Sequence, residues 1–198
     1  GAKPVFVDVR PDMNMDPQKL EQAITRRTRA ILPVHLTGKC ADMAPILRIA
    51  RRHNLLVVED AAQSAGARYR NRPAGAFGVL GCFSLHPLKN LNAAGDGGVI
   101  TTNDTDLYEK LKLLRNHGLR TRDEVSFWGF NSRLDTLQAA VLICRLRHLG
   151  QTIQRRRAIA KRYRAALAEW VDCPVETSNE FHTYHVYVIL CERRDDLQ

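Results

Sequence analysis

Three side chains pose the chemical question in this sequence: the acid of Asp60, the hydroxyl of Ser84 and the amine of Lys89. Asp60 ends a short apolar run in Val57-Val58-Glu59-Asp60-Ala61-Ala62-Gln63. Ser84 and Lys89 lie in Cys82-Phe83-Ser84-Leu85-His86-Pro87-Leu88-Lys89-Asn90-Leu91, ahead of the glycine-rich Gly95-Asp96-Gly97-Gly98. An acid, a hydroxyl that suits a phosphate and an isolated amine, in that order, are what pyridoxal phosphate (PLP) requires. The lysine forms the Schiff base, and the acid pairs with the pyridinium nitrogen so that the ring accepts electrons. As an amine, Lys89 would also carry the proton between the amino-donor carbon and the cofactor. Asp60 has a second, compatible reading as the N-cap of a helix starting at Ala61. The Gly95 to Gly98 stretch has neither a GxGxxG nor a GxxxxGK[ST] frame, so it reads as a turn that lets backbone come close to the cofactor.

The elements around these residues alternate. Val5 to Val9 reads as a strand, and Asp16-Pro17 opens a helix running to about Thr25, with the acid as cap and proline in the first turn. Ala30 to Leu36 is a second strand. Asp42 caps a helix that ends near His53-Asn54. Leu55 to Glu59 is an almost wholly apolar strand, as expected of a parallel strand covered on both faces. This βαβαβ rhythm implies a doubly wound parallel sheet, in which ligands bind at the carboxyl ends of the strands, where Asp60 falls. Gly98 to Thr102 gives another strand, and Asn103-Asp104 caps a helix to about Asn116. After Asn131-Ser132, Leu134, Leu137, Ala140, Val141, Cys144, Leu146 and Leu149 recur at helical spacing up to Gly150; a second helix follows to about Trp170. Residues 1–170 are expected to form the large, cofactor-binding domain. Residues 171–198, with the strand-like run Tyr184 to Leu190, are expected to begin a small C-terminal α/β domain.

Composition narrows the class. A chain of 198 residues that is 44% hydrophobic suits a well-buried globular core. No apolar run approaches the ~18 to 20 residues of a membrane span, and the first residues have no signal-peptide pattern. Five scattered cysteines without a CxxC pair argue against a disulfide framework and a zinc site, and point to a reducing cytoplasm. His182 and His185 have loose ligand spacing with no third ligand, so no metal is expected. The net charge of +9 concentrates in Arg26-Arg27, Arg51-Arg52 and the run from Arg155 to Arg164. Solvated helix faces account for it first, and attraction of a nucleotide diphosphate second. Nucleic acid is not expected, because no aromatic residues interleave with the basic runs.

Six segments together resemble the DegT/DnrJ/EryC1/StrS aminotransferases: Pro33-Val34-His35-Leu36-Thr37-Gly38, Val58 to Gln63, Phe83 to Lys89, Gly95 to Gly98, Arg115-Asn116-His117-Gly118, and Asn131 to Ala140. The resemblance covers nearly the whole chain. It implies fold type I of the PLP-dependent aminotransferases: an α/β fold with a mainly parallel sheet and helices on both faces. It also implies transfer of an amino group, with glutamate as donor, to a keto sugar linked to a nucleotide. By resemblance Lys89 is catalytic, and Asp60, Gln63, Ser84 and Asn131 bind the cofactor together with it. Gln63 would lie against the phenolic oxygen of PLP and Ser84 at its phosphate. Asn131 would reach the phosphate in the neighbouring subunit of a homodimer with shared active sites. Arg133 is a candidate for a substrate phosphate, and His35, His86 and His117 are expected to line or shape the site.

The pattern departs from the family in two respects. Thr37-Gly38 stands where the family carries Tyr-Gly. The family's N-terminal phosphate-binding turn, its ring-stacking residue and its C-terminal substrate segment have no counterpart, so the sequence reads as an internal fragment of a longer enzyme. An aminotransferase acting on an aminocyclitol precursor and a non-catalytic regulator on the same fold are the alternatives. A sugar dehydratase of the same superfamily would carry histidine in place of Lys89.

Overall fold

A computed structural model describes residues 1–197; Gln198, the last residue of the expected small domain, lies outside the described residues. The chain forms α1 (Pro17–Leu20), β1 (Ala30–Ile31), α2 (Met43–Arg52), β2 (Leu56–Asp60), β3 (Arg68–Tyr69), β4 (Arg72–Pro73), β5 (Leu80–Ser84), β6 (Gly98–Thr101), α3 (Thr105–Leu114), α4 (Thr136–Leu167) and β7 (Glu180–Phe181). Four strands make one sheet in the order β1-β2-β5-β6. The first three run parallel, and β6 returns antiparallel to β5. A smaller sheet, β4-β3-β7, is antiparallel throughout.

Periodicity explains α2. Met43, Ile46, Ile49 and Ala50 fall on one stripe and are buried with Leu20, Ile31, Val57 and Tyr69 in the main core. Truncating Ile46, which is fully buried, would cost about 2 to 5 kcal/mol. Asp42 sits at the N-cap, but its side chain makes no cap bond there. Its oxygens accept instead from the Tyr69 hydroxyl at 2.6 Å and Arg10 at 3.5 Å, tying the smaller sheet to the main core. A second cluster of Leu85, Ala93 and Leu142 seats α4 behind the loop that carries Lys89.

Several expectations are corrected. Val5 to Val9 is not a strand: only Val9 pairs, in a single bridge to Met15, and Phe6 is 92% exposed. The strand expected over Ala30 to Leu36 keeps two residues, after which Val34 makes an isolated parallel bridge to Asp60. No helix begins at Ala61; a turn follows Asp60 instead. The helix after Asn131-Ser132 begins behind Asp135, whose side chain makes no cap bond, and it does not break at Gly150. The two expected helices are one element of 32 residues. Its buried residues Leu142, Ile153 and Ala160 stay in phase across Gly150, which offsets the ~1 kcal/mol a helical glycine costs. Tyr184 to Leu190 is not a strand either. Arg156 takes the carbonyls of Tyr184 and His185 at 3.3 and 3.2 Å, and only Leu190 pairs, with Asp172.

Among the described residues no helix is long and apolar enough to cross a membrane.

Candidate active site

Asp60 is delivered by the sheet itself. Its N–H donates to Pro33 O at 3.0 Å, and its carbonyl accepts from His35 N–H at 2.9 Å, so the end of β2 is locked to the chain beyond β1. On the other side Asp60 stands in register with Cys82 of β5, and the Ala61 N–H donates to the Cys82 carbonyl at 2.8 Å. Ser84 follows two residues on, along the same face of β5, at its carboxyl end. Asp60, Ser84, Ala62, Cys82 and Gly97 thus line one cavity of about 380 Å³. It lies where ligands of open parallel sheets bind. The Cys82 thiol in its wall is pushed up by burial and then by the charges of Asp60 and Glu59, and so stays protonated.

The Asp60 carboxylate is half fixed. Oδ1 accepts from the Ala62 N–H at 3.0 Å, while Oδ2 has no hydrogen-bond partner among the described residues. The helix-cap role is not borne out, since a turn and no helix follows Asp60; Oδ1 orders that turn, and Oδ2 remains open to a ligand. Gln63, one turn further, is fixed by its amide oxygen, which accepts from the Thr37 N–H at 2.8 Å. Its Nε2 is left as a donor. Thr37 itself takes φ 60°, an uncommon conformation for a β-branched residue, with its hydroxyl donating to Leu36 O at 2.7 Å.

Behind Asp60 lies a residue that the sequence reading passed over. Glu59 also borders the cavity, but it is completely buried, with its side chain on the opposite face of β2 from that of Asp60. Its Oε1 accepts from the N–H groups of Phe77 and Gly78 at 2.5 and 2.6 Å, and its Oε2 from Gly75 N–H at 2.7 Å and His35 Nε2 at 2.9 Å. His35 Nδ1 accepts from Ala41 N–H at 3.1 Å, so the ring proton belongs on Nε2 and is donated to Glu59. Burial alone would raise the Glu59 carboxyl, yet the bonds from His35, Gly78 and Gly75 hold it below the ordinary carboxylate range. His35 is thus a brace for the strand ends and does not line the cavity. A single acid inside an apolar run was the available signal: a charged residue there must be paired.

Lys89 occupies the turn that follows β5, its N–H donating to His86 O at 2.9 Å. It is half-buried and does not line the cavity itself. The turn is held by Ser84 Oγ, which accepts from His86 N–H at 3.3 Å, and by His86 Nδ1, which accepts from Leu88 N–H at 3.2 Å. Asn131 is exposed and outside the cavity; its Oδ1 accepts from Arg133 Nε at 3.2 Å. His117 is exposed as well, in a positive-φ turn. Within one chain the structure therefore joins Asp60 and Ser84 directly, places Gln63 and Lys89 on adjoining turns, and leaves Asn131 on the surface.

The donor set fits PLP. A carboxylate with a free oxygen suits a protonated ring nitrogen, an amide N–H suits a phenolate oxygen, and a hydroxyl at the strand end suits a phosphate. Apolar and small residues between them leave room for a ring.

The model of the DegT/DnrJ/EryC1/StrS aminotransferase family matches residues 1–198. The chain is 45% identical over 203 residues to the pleiotropic regulatory protein of Geobacillus stearothermophilus, covering 100% of this chain and 55% of that one. It is 46% identical over 201 residues to the dTDP-3-amino-3,4,6-trideoxy-alpha-D-glucose transaminase of Streptomyces venezuelae, with 100% and 53% covered. Among solved structures, S. venezuelae DesV in complex with a ketimine intermediate superposes with a TM-score of 0.96 at 47% identity, over 100% of this chain and 54% of that one. The chain spans about half the length of the curated relatives it matches.

Proposed function

The chain belongs to the DegT/DnrJ/EryC1/StrS aminotransferase family, and on that premise we propose that the protein is a PLP-dependent transaminase that aminates a keto sugar linked to a nucleotide, with glutamate as donor. The observation that carries the reading is the meeting of Asp60 and Ser84 in one cavity at the carboxyl ends of β2 and β5, with Lys89 on the turn that leaves β5. When bound, PLP supplies the electron sink for breaking a bond at the amino-bearing carbon.

The chain's own residues do the rest. Asp60 Oδ2 meets the ring nitrogen and holds a proton there. Gln63 Nε2 donates to the phenolic oxygen, its geometry set by the Thr37 N–H. Ser84 Oγ binds the phosphate. Lys89 Nζ tethers the cofactor and, when free, takes up and returns a proton at Nζ. Asn131, exposed and outside the cavity of its own chain, serves the phosphate of the partner subunit in a homodimer with shared sites. Residues 1–170 act as the cofactor-binding unit, with 171–198 opening a second one. All five cysteines are unpaired, which suits work in the cytoplasm.

Borohydride reduction of the full-length, cofactor-loaded protein followed by peptide mass mapping tests the assignment. The pyridoxyl label is expected on Lys89. A label on Lys39, which is buried against Glu180 and Asp12, or on Lys110 of α3 would refute it. A colourless protein retained on heparin would favour a regulator built on the same fold.

A further inference from the structure

Residues 183–186 dock between the two turns that carry Gln63's brace and Lys89. Thr183 donates to Gly38 O through its N–H at 2.9 Å and its hydroxyl at 3.2 Å, and Val186 N–H donates to Thr37 O at 3.3 Å. The fit is close: Gly38 has φ +98°, and a Cβ there would meet Thr183 Oγ1 at 2.5 Å and the His185 nitrogen at 2.8 Å. From the other side Asn90, the residue after Lys89, donates to Thr183 O at 3.5 Å. Two buried polar atoms are left without a partner at this junction, Asn90 Oδ1 and His185 Nδ1. A buried acceptor that no protein group satisfies costs about 1 to 3 kcal/mol and calls for a reason.

We propose that His185 is a positioning residue for Lys89, its unpartnered Nδ1 being the acceptor that receives an N–H of the lysine amine when that amine is not engaged with the cofactor. The inference rests on the role proposed for Lys89. Burial first, then the charges of Lys89 and Arg156, bring the imidazole down to about 4, so it is neutral at physiological pH and free to accept. A neutral acceptor holds the amine in one direction without taking its charge away. Neither Asp60 nor Ser84 is needed for that task.

The test uses the full-length, cofactor-loaded protein with His185→Phe, which removes the acceptor, and His185→Gln, which returns one. Borohydride mapping is expected to label Lys89 in the wild type and in both variants. His185→Phe is expected to lower kcat about tenfold or more with KM for the keto sugar within about twofold, and His185→Gln to recover most of the loss. Wild-type kcat in a fully labelled His185→Phe protein would overturn the inference and leave the proposed function standing. A label on another lysine would overturn the Lys89 assignment itself. If His185→Phe does not fold, ring-¹⁵N histidine titration of the cofactor-free protein decides. In Lys89→Met the His185 midpoint is expected about half a unit or more above its wild-type value. An unchanged midpoint would show that the two side chains do not meet.

Discussion

Glu59→Gln replaces one oxygen by an NH₂ group in a pocket where all four partners are donors. Whichever way the amide turns, two of those donors face another donor. His35 cannot rescue the contact by moving its proton, because Nδ1 is already the acceptor for Ala41 N–H. Two orphaned buried donors at about 1 to 3 kcal/mol each give about 2 to 6 kcal/mol, and some relaxation of the Gly75 to Gly78 loop brings the expectation to about 3. Against a total stability of about 5 to 15 kcal/mol that is a large loss. Urea unfolding followed by circular dichroism measures it as a lowered midpoint at constant slope. The pH dependence adds a sign. The folded-state carboxyl lies below its unfolded value, so its contribution is full above the unfolded carboxyl pKa and fades as pH falls through the folded one. The gap between wild type and variant should therefore close in acid. A variant that unfolds within about 0.5 kcal/mol of wild type at neutral pH would refute the account of Glu59 as the anchor beneath Asp60.

Burial, the largest influence, lowers His182 from 6.5 to about 4, so the unfolded chain takes up a proton first and stability should fall as pH drops from 6.5 to about 4; urea midpoints across that window check it, and His182→Asn, which can still accept from Tyr184 N–H, should flatten the slope. Asp60→Asn should retain the cofactor, seen by its visible absorbance, yet slow turnover about a hundredfold or more because the ring nitrogen loses its charged partner; unchanged turnover would reduce Asp60 to its bond with Ala62. Mixing full-length Lys89→Ala and Asn131→Ala proteins, each inactive alone, should restore activity, since one site of each heterodimer is intact. Verified heterodimers without recovery would refute the shared site.

Legibility in the sequence followed the range of the forces involved. Leu56 to Asp60 and α2 could be read because an apolar strand and an amphipathic helix carry their signal locally, although the strand is buried on one face only, at Val57 and Glu59, and Leu56 is exposed. The order of Asp60, Ser84 and Lys89 pointed to one region for the same reason: Asp60 and Ser84 end β2 and β5, and Lys89 lies on the turn that follows β5. Glu59 was missed because its partners lie 16 to 24 residues away and three of them are backbone amides, which leave no mark on residue type. Strands β3, β4 and β7 hold two residues each, too few for a period, and Arg-Tyr, Arg-Pro and Glu-Phe carry no strand signature. Tyr184 to Leu190 failed in the opposite direction: its β-branched composition suits a strand, but Arg156 captured the carbonyls a ladder needs and Tyr184 took φ 48°. Gly150 misled because a helix breaker weighs about 1 kcal/mol, less than the packing that continues on both sides of it.

The pairing of β7 with β3, Phe181 opposite Arg68 and Glu180 opposite Tyr69, has a consequence for the order in which the molecule is made. Bringing those ends together closes a loop of 180 − 69 = 111 residues, at an entropic cost of roughly 4 kcal/mol if the intervening chain were loose. A ladder of two residues cannot repay that alone, so it closes only after the parallel sheet and α4 have shortened the path. On a ribosome the Gln63 brace and the Lys89 turn emerge before the segment that seats His185 between them, so the lysine turn gains its last support only when that segment has been made and docked.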